Sequence, residues 1–302
     1  MPARPHSRGA KFEKGDDSQT ASPFMFFCVV RAMSVLFVLL YLALGAFTGF
    51  FAGLLGVGGG SIMVPVLVML LTGQGFAPEM AMLLALGTSM AAILFTTSSS
   101  IRSHARHKAV LWPIVARITP GILFGTLLGT WLVNQIPTGW VALIFTAFIL
   151  YVAIQMILGL RPKPGRAMPG LVGTTCVGLG LGAFSCLVAI GGGALSVPFM
   201  VWCNVRIQEA IGTSSAIAFP IALGGTIGYA VNGYDAANLP AYSIGFIYLP
   251  AVALLAVSSM LTAPLGASLA HRLPITRLRQ IFATVLLLLA GKMMWTILQT
   301  AI

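Results

Sequence analysis

After residue 33 the chain runs in long apolar stretches separated by short polar punctuation, and the stretches form two matching series. The first lies near 34–57, 61–72, 80–100, 110–133 and 139–160, the second near 169–190, 194–204, 208–230, 242–270 and 276–300. Most of these runs reach the roughly 20 residues that a helix needs to cross about 30 Å of hydrocarbon. The second run of each series holds only about a dozen residues, too few to span. The pattern predicts an all-α polytopic membrane protein whose halves each carry about four spanning helices and one short broken or re-entrant helix. Both short runs follow three consecutive glycines, in "GLLGVGGGSIMVP" (53–65) and "AIGGGALSVP" (189–198). Within a helix each Gly costs about 1 kcal/mol relative to Ala, and in lipid every freed backbone group needs a partner. Such a break is expected where irregular backbone lines a cavity enclosed by protein.

The halves are repeats. At an offset of 133, Gly45, Gly49, Phe51 and Leu54 match Gly178, Gly182, Phe184 and Leu187, and Gly58, Gly59, Gly60 and Pro65 match Gly191, Gly192, Gly193 and Pro198. "LGTSMA" (86–91) answers "IGTSSA" (211–216) at an offset of 125, and Pro113, Gly129 and Pro137 answer Pro250, Gly266 and Pro274 at 137. An ordered series of this kind points to duplication. Loop charge then sets the relation between the halves. "RSHARHK" (102–108), "RPKPGR" (161–166) and "HRLPITRLR" (271–279) hold nine of the 17 Lys and Arg, so all three are expected to be cytoplasmic. The repeat partners of the first and third, "VNGYDAANLP" (231–240) and "NQIPTGW" (134–140), carry no Lys or Arg. Opposite votes from equivalent loops predict two inverted-topology repeats with the N-terminal tail outside.

Composition agrees with the pattern. Of 302 residues 58% are apolar and 8% charged, with mean hydropathy +0.97, against about 25% charged in soluble domains. In such a chain the net charge of +11 marks cytoplasmic loops and gives no reason to expect nucleic acid. Residues 1–33 read as a polar, disordered tail, with Met25 and Met33 as alternative starts. The first transmembrane repeat covers 34–160, a basic cytoplasmic linker 161–168 and the second repeat 169–302. Cys28, Cys176, Cys186 and Cys203 have no CxxC spacing and read as reduced packing residues. Metal and cofactor are not expected. No HExxH or Walker lysine motif is present and no paired Asp lies within the apolar runs, so neither enzyme chemistry nor ATP hydrolysis is expected.

The candidate chemistry lies at the glycine breaks. A helix that begins after Gly60, or after Gly193, offers four N–H groups without intrahelical partners together with the positive end of its dipole. That is a site for an anion, and glycine lets backbone approach a ligand closely. Gly58, Gly59, Gly60, Ser61, Gly191, Gly192 and Gly193 are therefore candidate binding residues, with Thr88, Ser89, Thr213 and Ser214 as hydroxyl donors. Close helix packing by small residues is the competing reading. Arg117, seven residues into its run, either snorkels to the cytoplasmic surface or binds the anion. Glu79 and Glu209 stand near helix starts, where carboxylates suit the dipole. His104 and His107 fall in a basic loop and are expected to be solvated.

The paired motifs, each followed by a Gly-Thr-Ser segment, resemble the TauE/SafE family of membrane anion transporters over essentially residues 34–300. The family signature falls on Gly53, Gly56, Gly58, Gly59, Gly60 and Pro65, and again on Gly191, Gly192, Gly193 and Pro198. The resemblance implies a secondary transporter that exports sulfite or a small organosulfur anion across a bacterial inner membrane. An anion channel, or an importer of an organic acid or sulfonate, would use the same scaffold. The expected partners are a small anionic substrate, a coupling proton or ion, the bilayer and, as an open alternative, a second copy of the chain.

Overall fold

The computed structural model describes residues 34–159, 165–236, 239–270 and 275–301; the N-terminal tail lies outside them. Within them the chain forms ten helices. The first half holds α1 (Val35–Leu55), α2 (Gly60–Gly73), α3 (Pro78–Arg106), α4 (Trp112–Gln135) and α5 (Thr138–Ile157). The second holds α6 (Leu171–Leu187), α7 (Gly193–Trp202), α8 (Ile207–Asn232), α9 (Leu249–Ala270) and α10 (Ile275–Ala301). The predicted run 242–270 opens instead with a small antiparallel hairpin, β1 (Ser243–Ile244) and β2 (Ile247–Tyr248). Seven helices are long and apolar enough to cross a membrane, and α2, α6 and α7 are shorter. At 17 residues α6 measures roughly 25 Å by helical rise, the lower limit for a span. The protein is thus a helical, multi-pass membrane protein.

The short helices double back. Gln74, just past α2, donates from Nε2 to the Tyr41 hydroxyl near the start of α1 at 3.2 Å. The N–H groups of Gly165 and Arg166, ahead of α6, both donate to the Trp202 carbonyl at the end of α7 at 3.3 Å. Each hairpin turns on left-handed backbone, with φ of +68°, +82° and +77° at Gly56, Gly58 and Gly59 and +77° at Gly192.

Repeat-equivalent helices pack in equivalent ways. Small residues let α1 press on α9 and α6 on α4 with their backbones close. A Cβ on Gly45 would stand 2.9 Å from Leu255 Cα, and one on Gly49 2.5 Å from Ser259 Cα. The matching sites in the other half behave alike: Gly178 would meet the carbonyl of Ile118, and Gly182 would come within 3.0 Å of Ile122 Cα. Between these pairs run α3 and α8, 78% buried over their most apolar stretches against 28–44% for the other five spans. They form the central layer of the bundle.

The second turn differs from the first at one position. Ala189, the equivalent of Gly56, sits at φ +42° despite its Cβ, a conformation that costs an L-residue roughly 1–2 kcal/mol. Ala189→Gly is therefore expected to raise stability by up to about 1 kcal/mol once the entropy of the added glycine is set against the relieved strain. Thermal unfolding of the purified protein in detergent checks it.

Candidate functional site

The two glycine turns meet at the centre of the bundle. A Cβ on Gly58 would lie 2.7 Å from Gly191 Cα, and one on Gly191 3.0 Å from Gly58 Cα. These two residues are repeat equivalents, so the contact is one position meeting its own counterpart. The flanking contacts are reciprocal as well. A Cβ on Gly60 would strike the carbonyl of Ala189, and one on Gly193 the carbonyl of Gly56. Residues 51–65 and 188–194 are buried throughout. Close packing therefore accounts for Gly58, Gly60, Gly191 and Gly193. Gly59 and Gly192 serve differently, as N-caps that both adopt φ +77°.

Each turn is held by the central helix of its own half. His104 Nε2 lies 2.9 Å from the Gly53 carbonyl in the last turn of α1. Its counterpart at the 125 offset, Tyr229, donates to the Cys186 carbonyl in the last turn of α6 at 2.8 Å. The expectation of a solvated His104 in a loop is thus corrected: α3 continues to Arg106 and buries the ring completely. The physical reason is that the helix turns this position inward, where the Gly53 carbonyl partners the ring, while Arg102 and Arg106 stay exposed. Ser214 donates to the Gly56 carbonyl at 2.9 Å and accepts from Ser196 at 2.9 Å.

The Gly-Thr-Ser segments serve the connections. Thr88 Oγ1 accepts the Tyr248 N–H at 3.0 Å, and Thr213 Oγ1 accepts the Leu111 N–H at 2.9 Å. Gly87 and Gly212 lie against the carbonyls of Phe246 and Ala109, where a Cβ would clash. Ser89 donates to the Leu86 carbonyl of its own helix at 2.9 Å. Of the predicted hydroxyls, then, the structure brings Ser61 and Ser214 to the glycine turns, while Thr88 and Thr213 anchor the segments entering α9 and α4. Arg117 has an exposed side chain on α4.

Two buried hydroxyls at the turns make no hydrogen bond, those of Ser61 and Ser185. An unsatisfied buried hydroxyl costs about 1–3 kcal/mol, so each stands as a donor held ready. Ser61 lies in the first turn of α2, beside N–H groups that lack intrahelical acceptors. The carboxylates among the described residues, Glu79, Glu209 and Asp235, lie at helix ends, with Glu209 paired to Arg206 at 2.7 Å. No cluster of three or more His, Cys, Asp and Glu occurs among the described residues. The centre is accordingly rich in donors and poor in negative charge. A separate cavity of about 490 Å³ between α3, α4 and α8, walled by Trp112, Leu123 and Phe219 with Arg102, shares no residue with the turns.

Sequence reasoning missed Ser185, Ser196, Tyr229 and the role of His104. The offset of 125, extended along α3 and α8, pairs His104 with Tyr229 and would have exposed both. Nothing in the sequence marks Ser185, whose importance comes from a bond it does not make.

Comparison with known proteins adds the family. The family model described as "Sulfite exporter TauE/SafE" matches residues 41–293. A "Probable membrane transporter protein" of Haemophilus influenzae is 33% identical over 262 residues, 85% of this chain and 98% of that protein. One of Methanocaldococcus jannaschii is 25% identical over 258 residues, covering 82% and 91% of the two chains. A third, YunE of Bacillus subtilis, is 26% identical and covers 66% and 80%. No solved structure matches the chain.

The packing generates a sharp contrast between glycines. Gly60→Ala or Gly193→Ala drives a methyl into backbone of the opposite half, so neither variant is expected to yield monodisperse protein on size exclusion. Gly180→Ala, on a face of α6 with nothing within 4 Å, is expected to fold normally and to gain up to about 1 kcal/mol of helix propensity.

Proposed function

The chain belongs to the sulfite exporter TauE/SafE family of membrane transporters, and we propose that it exports a small oxyanion, sulfite or an organosulfonate, across a bacterial inner membrane. The anion is held at the paired starts of α2 and α7. One observation carries this reading: the two glycine turns abut at Gly58 and Gly191, so two helix N-termini begin at one place. Each supplies unpaired N–H groups and a positive dipole end, a combination that favours anions. Ser61 adds a hydroxyl without a partner, and neither glycine turn contains a carboxylate. Broken helices meeting near the middle of a repeat scaffold are where transporters of this general design bind substrate.

The same reading takes the halves as inverted. The α1–α2 hairpin opens towards the start of α3, because Gln74 reaches Tyr41 and α3 follows at Pro78. The α6–α7 hairpin opens towards the other end of α3: Leu111, just past that end, meets Thr213 near the start of α8, which follows α7. Loop charge supports the same arrangement. Arg117 then belongs at the cytoplasmic headgroup level with its side chain away from the anion.

Two measurements test these statements. In proteoliposomes the protein is expected to move sulfite or ethanesulfonate, to leave sodium, ammonium and glucose behind, and to keep its anion affinity in Arg117→Gln. Flux of a cation or sugar without anion flux would sink the assignment. For topology, single cysteines at Arg106 and at the 78% exposed Tyr234, in a cysteine-free background, are expected to react with impermeant maleimide from opposite sides. Reaction from one side only would end the inverted reading.

A further inference from the structure

We infer that Ser185 is the hydroxyl that grips the transported anion at the start of α7, so the two halves hold one ligand with non-equivalent groups. The inference rests on the anion site proposed above and extends it to a residue outside both glycine motifs. Position 185 looks onto the N-cap of α7: a Cβ on Gly192 would lie 3.7 Å from Ser185 Oγ. In the first half the same place is taken by Ala52, whose Cβ would lie 3.4 Å from a Cβ on Gly59. The fold therefore accepts a methyl at this point, and packing does not require the oxygen.

The hydroxyl also does nothing for its own helix. A serine or threonine buried in a helix ordinarily donates to a carbonyl three or four residues back, as Thr48 does to Leu44 at 2.8 Å. Ser185 Oγ makes no such bond, and its residue is 1% exposed. Meanwhile the Ser185 carbonyl accepts the Ile190 N–H at 3.1 Å, which closes the turn and fixes the residue over the helix start. A rigid backbone thus holds a free donor against Gly192, the N-cap of α7. Ser61 plays the matching part at α2, but from within the first turn, and its counterpart Ala194 has no hydroxyl. Each half contributes one spare hydroxyl, from a different place. Donors arriving from several directions suit a ligand with several acceptor oxygens, a sulfite or sulfonate group, better than a monatomic anion.

The test uses the full-length protein, with melting temperature in detergent and uptake in proteoliposomes as readouts, and sulfite, ethanesulfonate and chloride as probes. Ser185→Ala is expected to melt like the parent protein without anion and to lose at least 10-fold in sulfite and ethanesulfonate affinity, with a smaller change for chloride. Ser185→Cys, which keeps the volume and offers only a weak donor, is expected to show the same loss. A changed melting temperature with unchanged sulfite affinity in both variants makes Ser185 a structural residue and overturns the inference. If Ser61→Ala weakens sulfite and Ser185→Ala does not, the assignment at α7 falls and the anion site stands. If the parent protein responds to none of the three anions, both readings fall together.

Discussion

The architecture depends on a contact between two stretches of backbone that carry no side chains. Gly58 and Gly191 approach until a Cβ on either would stand 2.7–3.0 Å from the other's Cα. In hydrocarbon the hydrophobic effect gives helices little reason to associate; close van der Waals packing and polar satisfaction must supply it. The contact provides the first and the flanking bonds provide the second. Backbone groups freed by the turns are taken up by Ser214 at Gly56, by His104 at Gly53 and by Tyr229 at Cys186. Long central helices, buried on nearly all sides, are what place those three side chains where the turns need them.

A division of labour among polar groups follows. The carbonyls of Gly53, Gly56 and Cys186 are taken up by protein side chains, whereas the first N–H groups of α2 and α7 have no intrahelical acceptors. On the proposed reading, the transported anion meets these donors. The hydroxyls of Ser61 and Ser185 at the same turns make no hydrogen bond. The Gly-Thr-Ser segments sit one step further out, pinning the chain as it enters α4 and α9. Their equivalence across the halves is thus explained by a shared structural role.

Much of this was legible from the chain. The run lengths and triple glycines implied ten helices and two doubled-back hairpins, because a dozen apolar residues cannot cross hydrocarbon and three glycines cannot continue a helix. The hairpin β1–β2 was not, since two-residue strands leave no periodicity to read. The extension of α3 through Arg106 was hidden by its charge: a basic segment reads as loop, yet Arg102 and Arg106 point outward while His104 turns in. The site divides in the same way. Glycines announce themselves, as approaches such as that of Gly58 to Gly191 leave no room for a Cβ. Thr88 and Thr213 looked like ligand donors because a hydroxyl in an apolar run is conspicuous, and only three dimensions show the loop amides they receive. Ser185 was invisible because its place is defined by Gly192, seven residues on.

The contact at the centre also has a place in time. Gly58 leaves the ribosome 133 residues before Gly191, roughly 10 s at ordinary rates of synthesis. Throughout that interval the first hairpin has no counterpart to lean on, and its bent backbone must wait in the membrane with only His104 and its own half for company. A chain stopped after the first repeat stays in that condition indefinitely. The two halves of the gene product are therefore bound to one another as strictly as the subunits of an obligate dimer, and fusion into one polypeptide spares the cell the search of one half for the other.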